Sequence, residues 1–340
     1  MQNYILGGYT RRINDGLYSI DFDPETGRFS DKKLIAELDS PTYVCLNEDE
    51  TLLFAIDSDE LGGIKVFKRD ENSDWQELTS IYDLVSAGCH LSFRDSSQTL
   101  YVANYHTGAI DVYKLDGDVM TNIQTIQHFG SGPHKNQDNP HVHYTGLNQD
   151  HTLLLTCDLG TDHVTSYSVN DEGLLEEAHT IMLPAGTGPR HLVLSADEKF
   201  VYVNGELNST TNVLSLSEDG EFALLETYEN IPSEEIERSA SAAIRLTQDG
   251  KFLYVSSRFY NAITVYAISE DGVHLEKIQV IDSGGEIPRD FTLSSNDEYV
   301  LVAHQDTDNL VVFKRNAETG QLEKLPEEGH ANECVCILEA

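Results

Sequence analysis

At 340 residues, 39% of them hydrophobic, the chain is long enough for two average domains or for one large domain of repeating units. Its 58 acidic against 22 basic side chains give a formal net charge of −36, which speaks against binding nucleic acid or an anionic membrane surface and denies an anionic ligand any long-range attraction. Sixteen Tyr and 12 Phe, with many Val and Thr, favour strand. The start, MQNYILGGYTRRINDG, lacks a basic segment leading into an apolar one, and no stretch approaches a membrane span, so a cytoplasmic protein without a secretory signal is expected. Five cysteines (Cys45, Cys89, Cys157, Cys334, Cys336) are odd in number and scattered, which fits buried thiols in a reducing compartment. No second cysteine pair joins Cys334 and Cys336 to complete a zinc site.

Along the chain, YILGGY, GLYSIDFD and LIAEL read as second, third and fourth strands of a unit that lacks its first. A phrase then recurs: strand, turn rich in Asp, Asn, Ser or Gly, strand, polar stop, third strand. Its six copies begin with PTYVCLNEDETLLFAIDS, GCHLSFRDSSQTLYVANY, PHVHYTGLNQDHTLLLTCD, PRHLVLSADEKFVYVNGE, SAAIRLTQDGKFLYVSSR and PRDFTLSSNDEYVLVAHQ. The equivalent residues Tyr43, His90, His143, His191, Ala243 and Asp290 lie 47, 53, 48, 52 and 47 apart. Each copy adds a weaker fourth strand, such as LEKIQVI. Four strands at this period predict the blade of a β-propeller. The carboxyl-terminal ECVCILEA stands in register to supply the missing first strand, closing the circle with both termini. The expectation is all-β: one seven-bladed propeller domain over residues 1–340, with four antiparallel strands per blade.

If the first and second strands are antiparallel neighbours, the start of one and the end of the other share an edge. The second strands stop at Tyr9, Ser58, Tyr105, Asp158, Glu206, Arg258 and Gln305; the first start near Tyr43, His90, His143, Arg190 with His191, and Arg289. One edge is thus expected to gather imidazoles, guanidiniums and carboxylates. His141 and His143 alternate and would share a strand face, but no third metal ligand is identifiable. Each candidate also has a structural reading: Arg190 and Glu206 as a salt bridge, Arg258 as a solvated charge, Asp158 as a turn residue bonding its own backbone.

The phrases GGYT…GLYSIDFDPETGRFS, NPHVHYTGLN…DLGTDHV, GPRHLVLSADEKFVYVNGELNS, LYVSSRFYNAITVY and GGEIPRDFTLSSNDEYVLVAHQDTDNLVVFKRNAETG together resemble the seven-bladed lactonase family. That family comprises bacterial propeller-type 6-phosphogluconolactonases and fungal carboxy-cis,cis-muconate cyclases, and the resemblance spans essentially the whole chain. It implies that His143, Arg190, Glu206 and Arg258 are catalytic; from their place at the same edge, His90, Tyr105, His141, Asp158, His191, Arg289 and Gln305 are expected to line the substrate site. Two copies depart from the family pattern. Ala243 and Arg245 stand where relatives commonly carry an acid and a His, and Asp290 and His304 stand where His or Asn would be usual.

Opening a δ-lactone needs an activated water, a home for the oxyanion and an acid for the leaving alkoxide. A carboxylate such as Glu206 can be the base, a His can take either proton task, and Arg can hold oxyanion or phosphate. The expected activity is hydrolysis of 6-phosphoglucono-1,5-lactone, without cofactor or metal, by a monomer or weak homo-oligomer acting on a small anionic lactone. Glu206→Gln is expected to abolish turnover with little loss of stability. The alternatives are a lactone-forming cyclase, a hydrolase of another lactone, and a non-catalytic propeller that binds a partner. The last lacks support from a WD repeat signature, since the chain has one Trp, Trp75.

Overall fold

The computed structural model describes residues 1–59 and 61–340. Its strands form seven antiparallel sheets, the blades of a seven-bladed all-β propeller. Blade 1 joins the two ends of the chain. Blades 2 to 7 follow in order, their first strands being Val44–Leu46, His90–Arg94, Val142–Leu147, Pro189–Leu194, Ala240–Leu246 and Pro288–Leu293. By packing the chain forms two compact units, one of Met1–Glu37, His191–Ser215 and Leu224–Ala340, the other of Leu38–Arg190 and Leu216–Ala223.

Within the first unit, blade 7 shows why the strands read as they do. Val300, Val302, Val311 and Phe313 pack against Ala243, Tyr254, Ile263 and Val265 of blade 6. The alternate residues Tyr299, Leu301, Ala303, Leu310 and Val312 pack against Tyr4, Leu6, Ile20 and Phe22 of blade 1. Side chains alternate across a strand, so a sheet covered on both faces needs an unbroken apolar run. The run YVLVAH (Tyr299–His304) is accordingly buried throughout. The outermost strands pack on one side only, and exposed positions recur along Leu275–Asp282 and Leu322–His330.

The turn between first and second strands repeats one device. Asn47, Asn148, Ser195, Thr247 and Ser294 each accept, through the side-chain oxygen, the N–H of the residue five places on. The fourth turn residue has positive φ: Glu50, His151, Glu198 and Asp297 at 55–57°, and Gly250 at 69°. Only at Gly250 does the sequence supply the residue that adopts this conformation without strain. Neighbouring blades are also pinned by second-strand tyrosines. Tyr101, Tyr202, Tyr254 and Tyr299 donate to the carbonyls of Gly173, Gly272, Gly320 and Pro24 over 2.7–2.9 Å.

Blade 1 closes as the repeat requires: Cys334–Glu339 pairs antiparallel with Gln2–Gly8, Tyr4 opposite Glu339 and Gly8 opposite Cys334. Its outer edge is broken in two, since Arg28–Phe29 and Lys33–Glu37 both pair with Gly16–Asp23.

Candidate active site

In blades 4, 6 and 7 the first strand's start does meet the second strand's end. Val142 is opposite Asp158, Ala240 opposite Arg258 and Pro288 opposite His304. The pairing register then shifts, between Val142 and Tyr144 in blade 4 and between Pro288 and Asp290 in blade 7. His143 and Arg289 are thereby the bulged residues, and a bulge re-aims a side chain that regular pleating would fix.

In the first unit, Arg258 Nη2 lies 2.8 Å from Glu206 Oε2, with the side chains 8% and 17% exposed. Burial pushes the Arg258 guanidinium below its ordinary pKa; Glu206 opposes that shift, and nearby Arg289 adds to it. Arg258 is therefore not a solvated charge. Its Nε is buried without a hydrogen-bond partner among the described residues, as are Ser257 Oγ, Gln305 Oε1 and His304 Nε2. Buried polar atoms are rarely left so unless a ligand or water completes them. Tyr9 carries Arg11 Cζ 3.8 Å and Arg289 Cζ 5.6 Å from its ring centroid. His191 is buried at the head of its strand.

In the second unit, His90 lies between two aromatic rings, 4.2 Å from Tyr43 and 4.4 Å from Tyr144. Tyr105 stacks on His141 at 4.1 Å and meets His143 edge-on at 5.8 Å, while its carbonyl lies 2.7 Å from His141 Nδ1. Both histidines of the HxH pair thus gather at one tyrosine. Asp158 Oδ1 accepts the N–H groups of His141 and Gly160, which is the backbone-bonding turn role. Its Oδ2 is 2.9 Å from His128 Nδ1, and His128 Nε2 is 2.9 Å from the Tyr167 hydroxyl. These three residues line a cleft of about 270 Å³. Arg190 is buried.

The family description "Lactonase, 7-bladed beta-propeller" matches residues 3–339. The chain belongs to the seven-bladed β-propeller lactonase family. It is 34% identical to the 6-phosphogluconolactonase of Bacillus subtilis, over 99% of this chain and 98% of that protein. A crystal structure of a Lactobacillus plantarum protein superposes with a TM-score of 0.95 at 35% identity, covering 100% of this chain and 99% of that one. The Pseudomonas aeruginosa periplasmic gluconolactonase PpgL superposes at 0.93 with 26% identity, covering 99% of this chain and 98% of that one.

Two features of this lactonase-family chain escaped the sequence. The departures in blades 6 and 7 answer each other: Arg245 Nη2 is 2.8 Å from an oxygen of buried Asp290, whose other oxygen accepts the Ile337 N–H. An acid placed on one blade is neutralised by a base on the next, a pairing that no spacing within one repeat reveals. The second is Glu333, whose buried carboxylate accepts backbone N–H groups from the Arg11–Asn14 segment. The only sign of it was an acidic residue at the head of an apolar strand. Among the described residues, no group of three His, Cys, Asp or Glu side chains is arranged to hold a metal ion. None of their helices is long and apolar enough to cross a membrane.

Proposed function

We propose that the protein hydrolyses a phosphorylated sugar δ-lactone, 6-phosphoglucono-1,5-lactone, to the open acid. The observation that carries the reading is the buried Arg258–Glu206 pair, 2.8 Å apart, with Arg289 close enough to act on Arg258 electrostatically. Glu206 takes a proton from the attacking water as its oxygen bonds to the lactone carbonyl carbon. The carbonyl oxygen becomes the oxyanion, and the Arg258 guanidinium donates to it from a site already stripped of water, where such a donor acts most strongly. The tetrahedral intermediate collapses by breaking the bond from carbon to the ring oxygen. That oxygen leaves as an alkoxide and receives the proton held by Glu206. Family resemblance gives His143 and Arg190 catalytic roles as well, and the strand-edge positions of His90, Tyr105, His141, His191 and Gln305 give them roles in binding. Asp158 reads better as the residue that shapes the turn beneath His141. A cytoplasmic location goes with this reading, supported by an odd number of cysteines, five, scattered along the chain.

The test is the rate of opening of freshly generated 6-phosphogluconolactone above its spontaneous background. Wild type should accelerate it, and Glu206→Gln, Arg190→Ala and His143→Ala should each lose most of the acceleration. A wild type no faster than background would reject the substrate assignment.

A further inference from the structure

We infer that Arg11 and Arg289, set about the ring of Tyr9, form an anion subsite that receives the phosphate of the substrate, and that Glu333 holds this subsite in shape. The inference rests on the lactonase reading and extends it to the end of the substrate remote from the reacting carbonyl.

The first observation is one of charge. In a chain of 58 acids and 22 bases, a guanidinium finds a carboxylate easily. Arg12, Arg238, Arg245 and Arg258 do so, and Arg94 and Arg315, which have no ion pair among the described residues, donate to backbone carbonyls instead. Arg11 and Arg289 make neither an ion pair nor a side-chain hydrogen bond among the described residues, and both lie against the Tyr9 ring, their Cζ atoms 3.8 and 5.6 Å from its centroid. An aromatic face attracts a cation without neutralising it. Two unneutralised guanidiniums therefore lie about one ring, and Arg289 is close enough to act on the partly neutralised Arg258. Their mutual repulsion is relieved by an anion. A phosphate monoester carries close to two charges and matches the planar donor fork of arginine. Arg11 is exposed and Arg289 only partly buried, whereas Arg258 is buried. The subsite thus reaches toward solvent, where a charged group retains hydration, while the reacting carbonyl sits with the buried pair.

The second observation concerns the loop. The Glu333 carboxylate accepts the N–H groups of Arg11, Arg12, Ile13 and Asn14 at 3.2, 2.9, 3.0 and 3.2 Å. Four successive amides around one oxygen pair form an anion-binding nest filled by the protein's own side chain. Glu333 also accepts the Tyr9 N–H through its carbonyl at 3.1 Å. Arg12 ties the same loop down from outside, donating to the Gln305 carbonyl at 2.8 Å and to Asp308 at 2.9 Å. The loop that carries Tyr9 and Arg11 is thereby ordered before any ligand arrives, so binding costs little further conformational entropy. Glu333 touches no substrate in this scheme; it is a positioning residue.

The experiment compares 6-phosphogluconolactone with unphosphorylated glucono-1,5-lactone as substrates of wild type, Arg11→Gln, Arg289→Gln and Glu333→Gln. Wild type should prefer the phosphorylated lactone. Arg11→Gln, at an exposed position where folding is not at risk, should cut that preference in kcat/KM about tenfold or more, the effect of losing one charge-assisted contact. Glu333→Gln should raise KM for the phosphorylated lactone more than it lowers kcat, a split that a general loss of stability does not produce. Inorganic phosphate should compete with the phosphorylated lactone in wild type and much less in Arg11→Gln. Equal loss on both lactones in Arg11→Gln, or no competition by phosphate, would overturn the subsite. If wild type opened neither lactone, the lactonase reading would fail separately. Binding of inorganic phosphate, read by 31P NMR line broadening in wild type against Arg11→Gln, would then decide the subsite: broadening lost in the variant upholds it, and broadening equal or absent in both rejects it.

Discussion

Arg258 is buried with one guanidinium nitrogen 2.8 Å from the Glu206 carboxylate and its Nε facing no protein acceptor among the described residues. The pair is therefore both a counter-charge and an incomplete hydrogen-bonding group. A partner that spends part of its bonding capacity on the protein keeps the rest for a ligand.

Glu206→Gln should lower kcat about a hundredfold or more, the scale of losing a general base. The stability cost is larger than the sequence suggested for an edge carboxylate, because Gln cannot neutralise a buried guanidinium. A loss of about 2 kcal/mol is expected, typical of a hydrogen bond to a charged group. Urea unfolding and steady-state kinetics on the same preparation check both halves. An unchanged rate in a folded variant would remove Glu206 from the chemistry.

His304 supplies a pH dependence of stability. Burial pushes its imidazole down from 6.5 to about 4, although the Asn309 carbonyl and Glu328 pull the other way. The unfolded state binds a proton below about pH 6.5 that the folded state refuses until about pH 4. Stability is full above the upper value and drains away as pH falls across this window, by at most about 3 kcal/mol. His304→Gln should flatten the fall of the urea midpoint between pH 7 and 5. A midpoint as steep in the variant as in wild type would assign the acid sensitivity to other groups.

Asp158 should behave as a structural residue. Burial alone would raise its pKa, but the hydrogen bond and charge of His128 and the His141 N–H hold it below the ordinary carboxylate value. Its contribution is present above the unfolded value of 3.8 and lost as pH falls through the lower folded one. Asp158→Ala strands the His141 and Gly160 N–H groups and His128, and should cost about 3 kcal/mol or more. Its KM at low temperature should stay close to that of wild type. A large KM effect in a stably folded variant would return Asp158 to the substrate site, where its place at the end of a second strand puts it.

Removal of Cys334–Glu339 should abolish folding. That strand pairs along Gln2–Gly8, and its buried Cys334 and Ile337 belong to the core shared with blade 7. Without it the edge of Gln2–Gly8 stands unpaired and apolar, a template for aggregation. Circular dichroism and size-exclusion chromatography of a chain ending at Glu333 would show this. A monomeric, native-like spectrum would refute it.

The blades were legible because each carries its own local signals. A full apolar run, an Asp/Asn/Ser turn and a polar stop recur at one period, and even the terminal strand fell into register. The polar stops also named the in-blade partners of the site, since antiparallel pairing brings Ala240 to Arg258 by register alone. Hidden were the relations between blades. Nothing in the repeat foretold that Glu206 would pair with Arg258 of the next blade, that Arg245 would neutralise Asp290, or that Glu333 would gather the amides of a loop more than 300 residues away in sequence.

The sequence by itself determined the fold, because period, turn chemistry and strand patterning are properties of neighbouring residues and need no partner to be read. Tertiary structure alone decided the charge state and company of each functional side chain. Those depend on burial and on which opposite charge lies within a few ångströms, and both are set by the packing of one blade against the next.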